Sequence, residues 1–196
     1  MEYINQYDYP HIPYPHPEGV YTDKEPTIAL CGCGLCSLWM VIRMLTDEKP
    51  SLEDLIQMSV DSGANVSHGT QMRILAPYAA KKYGLQCTLS TDPKVLRGFL
   101  EAGNPVIICA TGDTEEGVGL FSHVGHFIVG LSMEGETVCV VDPALKPGKF
   151  DEPGREGKVR TDEAPLLYVS FADLVKDAYR SGKIAFSILT KELANT

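Results

Sequence analysis

No stretch of this 196-residue sequence approaches the ~20 consecutive apolar residues needed to cross a bilayer. Met1 leads into polar and aromatic residues rather than a basic and then apolar signal segment. A membrane is therefore not an expected partner. Basic clusters are missing too: Lys and Arg are scattered, Lys81-Lys82 being the one adjacent pair, and the formal net charge is -9 at pH 7. With no basic stripe to neutralise phosphates, nucleic acid is not expected either. Six cysteines, at 31, 33, 36, 87, 109 and 139, lack the spacing of a disulfide framework: three fall within six residues and three lie in apolar runs. This points to a reducing, cytoplasmic setting, with Cys87, Cys109 and Cys139 as small buried hydrophobes. No repeat or linker divides the chain, and 44% hydrophobic content suits a single domain over 1–196.

What is present begins with an arm over residues 1–30, rich in Tyr, Pro and His. Each Pro removes a donor and fixes φ, so the arm is expected to be extended and packed through its tyrosines. The run Ser37–Leu45 is apolar nearly all round, the mark of a buried central helix, with Gly32 and Gly34 turning the chain into it. Ser51 and Asp54 resemble a capping pair opening a helix that ends at Ser62-Gly63. Thr70–Tyr83 reads as a third helix closed by Gly84, and Asp92-Pro93 opens a fourth running to about Ala102.

The apolar period then changes. Residues 105–110, 126–131 and 137–141 are short β-branched runs bounded by Gly, Asp and Pro, and read as strands. The second and third, separated by Ser132–Glu136, suit a hairpin. Leu166–Val169 and Ile184–Leu189 add two strands around a helix capped by Ser170. Helices first and antiparallel strands later make the fold class α+β. Residues 146–164, polar and with repeated Gly and Pro, read as a surface loop able to act as a lid.

Within this frame Cys33 stands at the start of the central helix, where unpaired N–H groups and the helix dipole stabilise a thiolate. Flanking Gly32 and Gly34 leave its sulfur uncrowded, whereas Cys31 lies in the turn and Cys36 inside the first helical turn. The partner base must be an imidazole from elsewhere in the fold. His11 and His16 lie in the arm and His68 in a Gly/Ser-rich loop. His126 opens an apolar strand, where the scaffold can fix it; His123 is the near competitor. Asp142 closes the next strand, and antiparallel pairing would bring its carboxylate to the His126 end of the sheet, able to hold the imidazole tautomer. Singly, each residue has an ordinary explanation: packing for the cysteine, a structural strand-end histidine, a turn-forming Asp before Pro. Together they have the order and placement of a nucleophile, base and orienting acid.

The segment Thr27-Ile-Ala-Leu-Cys-Gly-Cys-Gly-Leu-Cys-Ser-Leu-Trp-Met-Val41 resembles the nucleophile motif of bacterial papain-like cysteine peptidases related to the double-glycine leader peptidases of bacteriocin exporters. Gly125-His-Phe-Ile-Val-Gly130 and Val140-Val-Asp-Pro143 resemble that family's His and Asp motifs, and Ile4-Asn-Gln-Tyr-Asp-Tyr9 its N-terminal segment. The resemblance implies a papain-like fold, with a buried nucleophile helix packed on a C-terminal antiparallel sheet. It also implies peptide-bond hydrolysis by Cys33, His126 and Asp142 on a peptide or protein substrate, with no metal or cofactor. Two departures stand out. The family usually places an oxyanion-donating Gln six residues before the cysteine, where this chain has Thr27, and Gln6 is the candidate substitute. Leu35 and Cys36 replace a Pro and a small residue. As the motif begins close to Met1, no pro-segment is expected, leaving substrate choice or the 146–164 loop to limit activity.

Two other readings stay open on sequence. The same thioester chemistry could transfer the acyl group to an amine. Alternatively Cys31, Cys33 and Cys36 could form a metal or redox site in a binding module, although structural zinc usually wants four ligands in paired spacing.

Overall fold

The computed structural model describes residues 1–66, 68–178 and 185–191. The arm carries little regular structure: a single 3-10 turn at Gln6–Asp8, capped by the Asn5 side chain, interrupts it. It is tied down rather than loose. Tyr14 is fully buried with its hydroxyl on Ser59 and Thr70, and Gln6 N–H donates to Pro143 O at 2.7 Å. Its last residues, expected to be extended, form a short helix α1 (Ile28–Cys31).

Gly32 then separates α1 from α2 (Cys33–Leu45). Helix α2 starts four residues before the apolar run that signals it, so Cys33 is its first residue. A side chain at Gly34 would meet Thr70 at 2.8 Å and Phe127 at 3.3 Å, which explains how the first turn packs so closely on the sheet. The Ser51–Asp54 capping box opens α3 (Leu52–Asp61) as expected. Helices α4 (Met72–Lys82) and α5 (Pro93–Glu101) also fall where their caps and apolar positions place them.

Seven antiparallel strands form one sheet: β1 (Leu85–Ser90), β2 (Val106–Ala110), β3 (His126–Glu134), β4 (Thr137–Val141), β5 (Val159–Glu163), β6 (Leu166–Ser170) and β7 (Phe186–Lys191). Their order is β1-β7-β2-β3-β4-β6-β5. Helix α6 (Phe171–Ala178) follows β6 and carries the expected Ser170 cap, whose hydroxyl accepts from Asp173 N–H at 3.0 Å. The fold is thus the expected α+β arrangement. Strand β1 has no counterpart in the sequence reading, although Leu85, Cys87 and Leu89 alternate in the strand manner. Ile184, the expected start of the last strand, lies outside the described residues.

The sheet is buried on both faces. One face, with Ile107, Val129, Val141 and Leu189, packs on α2, α3 and α4. The other, with Ile108, Ile128, Val138 and Val140, packs on α5 and α6. Strands covered on both sides read as continuous apolar runs.

Two expectations need correction. The connection between β3 and β4 is a two-residue turn at Gly135-Glu136, not a five-residue one, because β3 runs on to Glu134 through a bulge between Gly130 and Ser132. Residues 146–164 are not simply a surface loop. They contain edge strand β5, and Lys149, Phe150 and Arg155 are buried. Their polar composition hides this because two of the buried residues, Lys149 and Arg155, are long cations held by hydrogen bonds.

Candidate active site

Cys33 sits half-buried at the first position of α2, where the helix start leaves N–H groups without intrahelical partners. The backbone N–H groups of Gly34 and Phe127 and the His126 ring lie near enough to favour its thiolate. His126 is buried at the start of β3, opposite Ala110 of β2, and its Nε2 lies 2.7 Å from Asp142 Oδ1. With Nε2 committed to the carboxylate, Nδ1 is the nitrogen that serves the sulfur. Asp142, fully buried just beyond β4, also accepts from Ala144 N–H at 2.7 Å, and its second oxygen receives Lys149 Nζ. Tyr3 OH donates to the Asp142 carbonyl at 2.7 Å, so the arm braces the site from below.

The β3 bulge makes this meeting possible. At the hairpin turn Glu134 faces Thr137, and that register continued unbroken would set Asp142 opposite Val129, on the face away from His126. Beyond the bulge Val129 faces Val141, which places Asp142 opposite Ile128 and on the same face as His126.

Electrostatics in this row follow from burial and pairing. Burial disfavours the His126 imidazolium, but the Asp142 carboxylate and the Cys33 sulfur outweigh it and raise the ring to about 9. Burial pushes the Cys33 thiol up, yet the His126 charge and the neighbouring His126, Phe127 and Gly34 donors hold it below the usual thiol range. Asp142 is lowered to about 2: burial opposes this, and His126 and Lys149 prevail. The arrangement favours a thiolate–imidazolium pair. Cys31 and Cys36 contrast with it, for burial raises the first to about 11 and the second further still.

His123, the competitor for the base, is held elsewhere: Nδ1 lies 3.0 Å from Asp113 and Nε2 2.8 Å from Glu152. Gln6 is buried rather than an exposed arm residue. Its Nε2 donates one proton to Ala29 O at 2.8 Å, and its Oε1 has no partner. The second Nε2 proton remains for another acceptor. Thr27, where the family's Gln would stand, caps α1 by position only, with no side-chain hydrogen bond.

A cleft of about 690 Å³ opens over Cys33 and His126, lined by Gln6, Tyr7, Tyr21, Leu30 and Val124 among others. A cavity of about 730 Å³ between residues 111–120 and α6 contains neither a thiol nor an imidazole. Among the described residues no group of three His, Cys, Asp or Glu side chains is placed to hold a metal. Cys31 directs its sulfur to Thr27 O and Cys36 lies in the core, so the three thiols do not converge. Lys149 joins the site without a signal in the sequence, as it falls in the segment whose polar composition predicts a surface loop.

This architecture is the papain-like fold of C39 peptidase domains. No protein-family model matches the chain, and no curated protein matches it. Among solved structures, the peptidase domain of Streptococcus ComA, a bi-functional ABC transporter involved in a quorum-sensing pathway, superposes with a TM-score of 0.54 at 16% identity. That match covers 82% of this chain and 91% of the other. A putative C39-like peptidase from Bacillus anthracis gives 0.54 at 14% identity, covering 97% and 99%. A double glycine motif protease from an AMS/PCAT transporter, solved with its leader peptide, gives 0.47 at 20% identity, covering 92% and 94%. The resemblance read from the motifs is therefore met at the level of fold.

Proposed function

We propose that this protein is a cysteine hydrolase that cleaves peptide bonds, with Cys33 as nucleophile, His126 as acid and base, and Asp142 as orienting acid. The observation that carries this reading is the buried row Cys33, His126 and Asp142, with the 2.7 Å Nε2–Oδ1 bond, at the head of α2 and open to a cleft. The thiolate attacks the peptide carbonyl carbon, and the electron pair of the C=O bond moves onto oxygen. Helix-start N–H groups, including that of Cys33, and the second Nε2 proton of Gln6 are the donors for that oxyanion. His126 Nδ1 then gives its proton to the leaving amine as the C–N bond breaks, leaving a thioester on Cys33. Water, deprotonated by the neutral imidazole, attacks the thioester, releases the acid and restores the thiolate.

Iodoacetamide at pH 6 is expected to label Cys33 ahead of the other five cysteines. Cys33→Ala should abolish hydrolysis of a peptide library while leaving the circular dichroism spectrum unchanged. Equal labelling of all six thiols, or hydrolysis retained in Cys33→Ala, overturns the reading.

A further inference from the structure

The segment expected to cover the site as a lid instead reaches into it. Lys149 is 5% exposed, and its Nζ donates to Asp142 Oδ2 and to Ala144 O, the latter at 3.1 Å. A buried ammonium is costly unless paired and fully hydrogen-bonded, so this placement has to be built. It is built from three sides. Lys149 N–H closes a turn onto Lys146 O at 3.2 Å. Neighbouring Phe150 packs edge-on against Phe121, ring centroids 5.8 Å apart. Buried Arg155 donates through Nη1 to Lys149 O at 3.3 Å and through Nε to Gly119 O at 2.8 Å, locking the segment to the loop before β3.

We propose that Lys149 is a positioning residue of the site, holding Asp142 through its outer oxygen and balancing its charge so that carboxylate and Cys33 thiolate coexist in the buried row. The inference rests on the reading of Cys33 as nucleophile. Asp142 Oδ1 serves both His126 and Ala144 N–H, and Lys149 occupies Oδ2, which leaves the carboxylate no freedom to turn. The row then reads thiolate, imidazolium, carboxylate and ammonium, with formal charges summing to zero. Without the ammonium it would carry one net negative charge away from water, and a proton would be drawn onto the sulfur or the carboxylate. The low position of Asp142 agrees with this, His126 and Lys149 both acting against its burial. Other charged groups around the segment do not duplicate the role: Glu152 is paired with His123 and Arg155, and Lys146 stands at the cleft.

The test is the pH dependence of iodoacetamide alkylation at Cys33, followed by peptide mass spectrometry in the full chain. Wild-type protein should show a first reactive step well below the ordinary thiol range near ~8.5. In Lys149→Met that step should move up by about one pH unit, roughly a tenfold loss of reactivity on its acid side, because removing a cation disfavours both anions. Lys149→Arg should keep the step in place even where its melting temperature falls. Should Lys149→Met not fold, Lys149→Gln, a donor without charge, gives the same reading. A folded neutral variant with an unmoved step overturns the proposal, leaving Lys149 purely structural and Cys33 as nucleophile. A wild-type step at ordinary thiol pH overturns the nucleophile reading itself.

Discussion

Asp142 carries more of the site than its place at the end of the row suggests, since it receives His126, Ala144 N–H and Lys149 at once. Asp142→Asn would offer one donor and one acceptor where two acceptors are used, turning an N–H against either the imidazole or the ammonium. It is expected to lower kcat by about a hundredfold or more with little change in KM, measured on the peptide best cleaved by the wild type. Loss of one oxyanion donor in Gln6→Ala should cost on the order of a hundredfold in kcat. The pH profile should be bell-shaped. Activity rises as the Cys33 proton is lost, below the usual thiol range, and falls as pH passes about 9, where His126 gives up its proton. Cys33, His126 and Asp142 were legible in the sequence because each stands at the end of an element whose periodicity can be read. Lys149 was not. A lysine among Gly, Pro and acidic residues carries no pattern that separates burial against a carboxylate from solvation.

Helix α2 and the β3–β4 hairpin act as two rigid arms that must meet to within a hydrogen bond. Gly34 sets the approach on one side. Gly34→Ala would press a methyl group on Thr70 and Phe127, and should cost about 1–3 kcal/mol in urea unfolding together with weaker pairing of Cys33. On the other side the bulge counts residues. Inserting one residue between Ile128 and Val129 should turn His126 to the opposite face from Asp142 and return Cys33 alkylation to an ordinary thiol profile, whereas deleting Leu131, the unpaired residue of the bulge, keeps Ile128 opposite Asp142 and should leave the wild-type profile. Inserting two residues at the Gly135-Glu136 turn should leave that profile unchanged. The hairpin itself was legible from its two β-branched runs. The bulge is not, because one extra residue in an apolar strand alters no composition, and the turn is accordingly three residues shorter than the sequence predicts. Strand β5, charged at three of five positions, escapes for a related reason: an edge strand protected by charge reads as loop.

Across the whole molecule, the α+β class followed from the order of periodicities, whereas the sheet order did not, for pairing between distant strands leaves no local trace. A net charge of -9 gives the molecule as a whole an acidic long-range field. Cationic peptides should therefore lose several-fold in kcat/KM between 0.05 and 0.5 M salt, assay conditions over which screening sharpens from roughly 14 to 4 Å, while neutral peptides of equal length change little. The sheet order has a further consequence in time. Strand β7, the last described, lies between β1 and β2, so among the described residues it joins the edge strand β1, beneath α4, to the five strands that include the His126 strand. At ribosomal speeds residue 191 follows residue 33 by roughly 10–30 s. Throughout that interval the sheet is incomplete, and it closes only when β7 inserts between β1 and β2, long after the residues that flank Cys33 have been made.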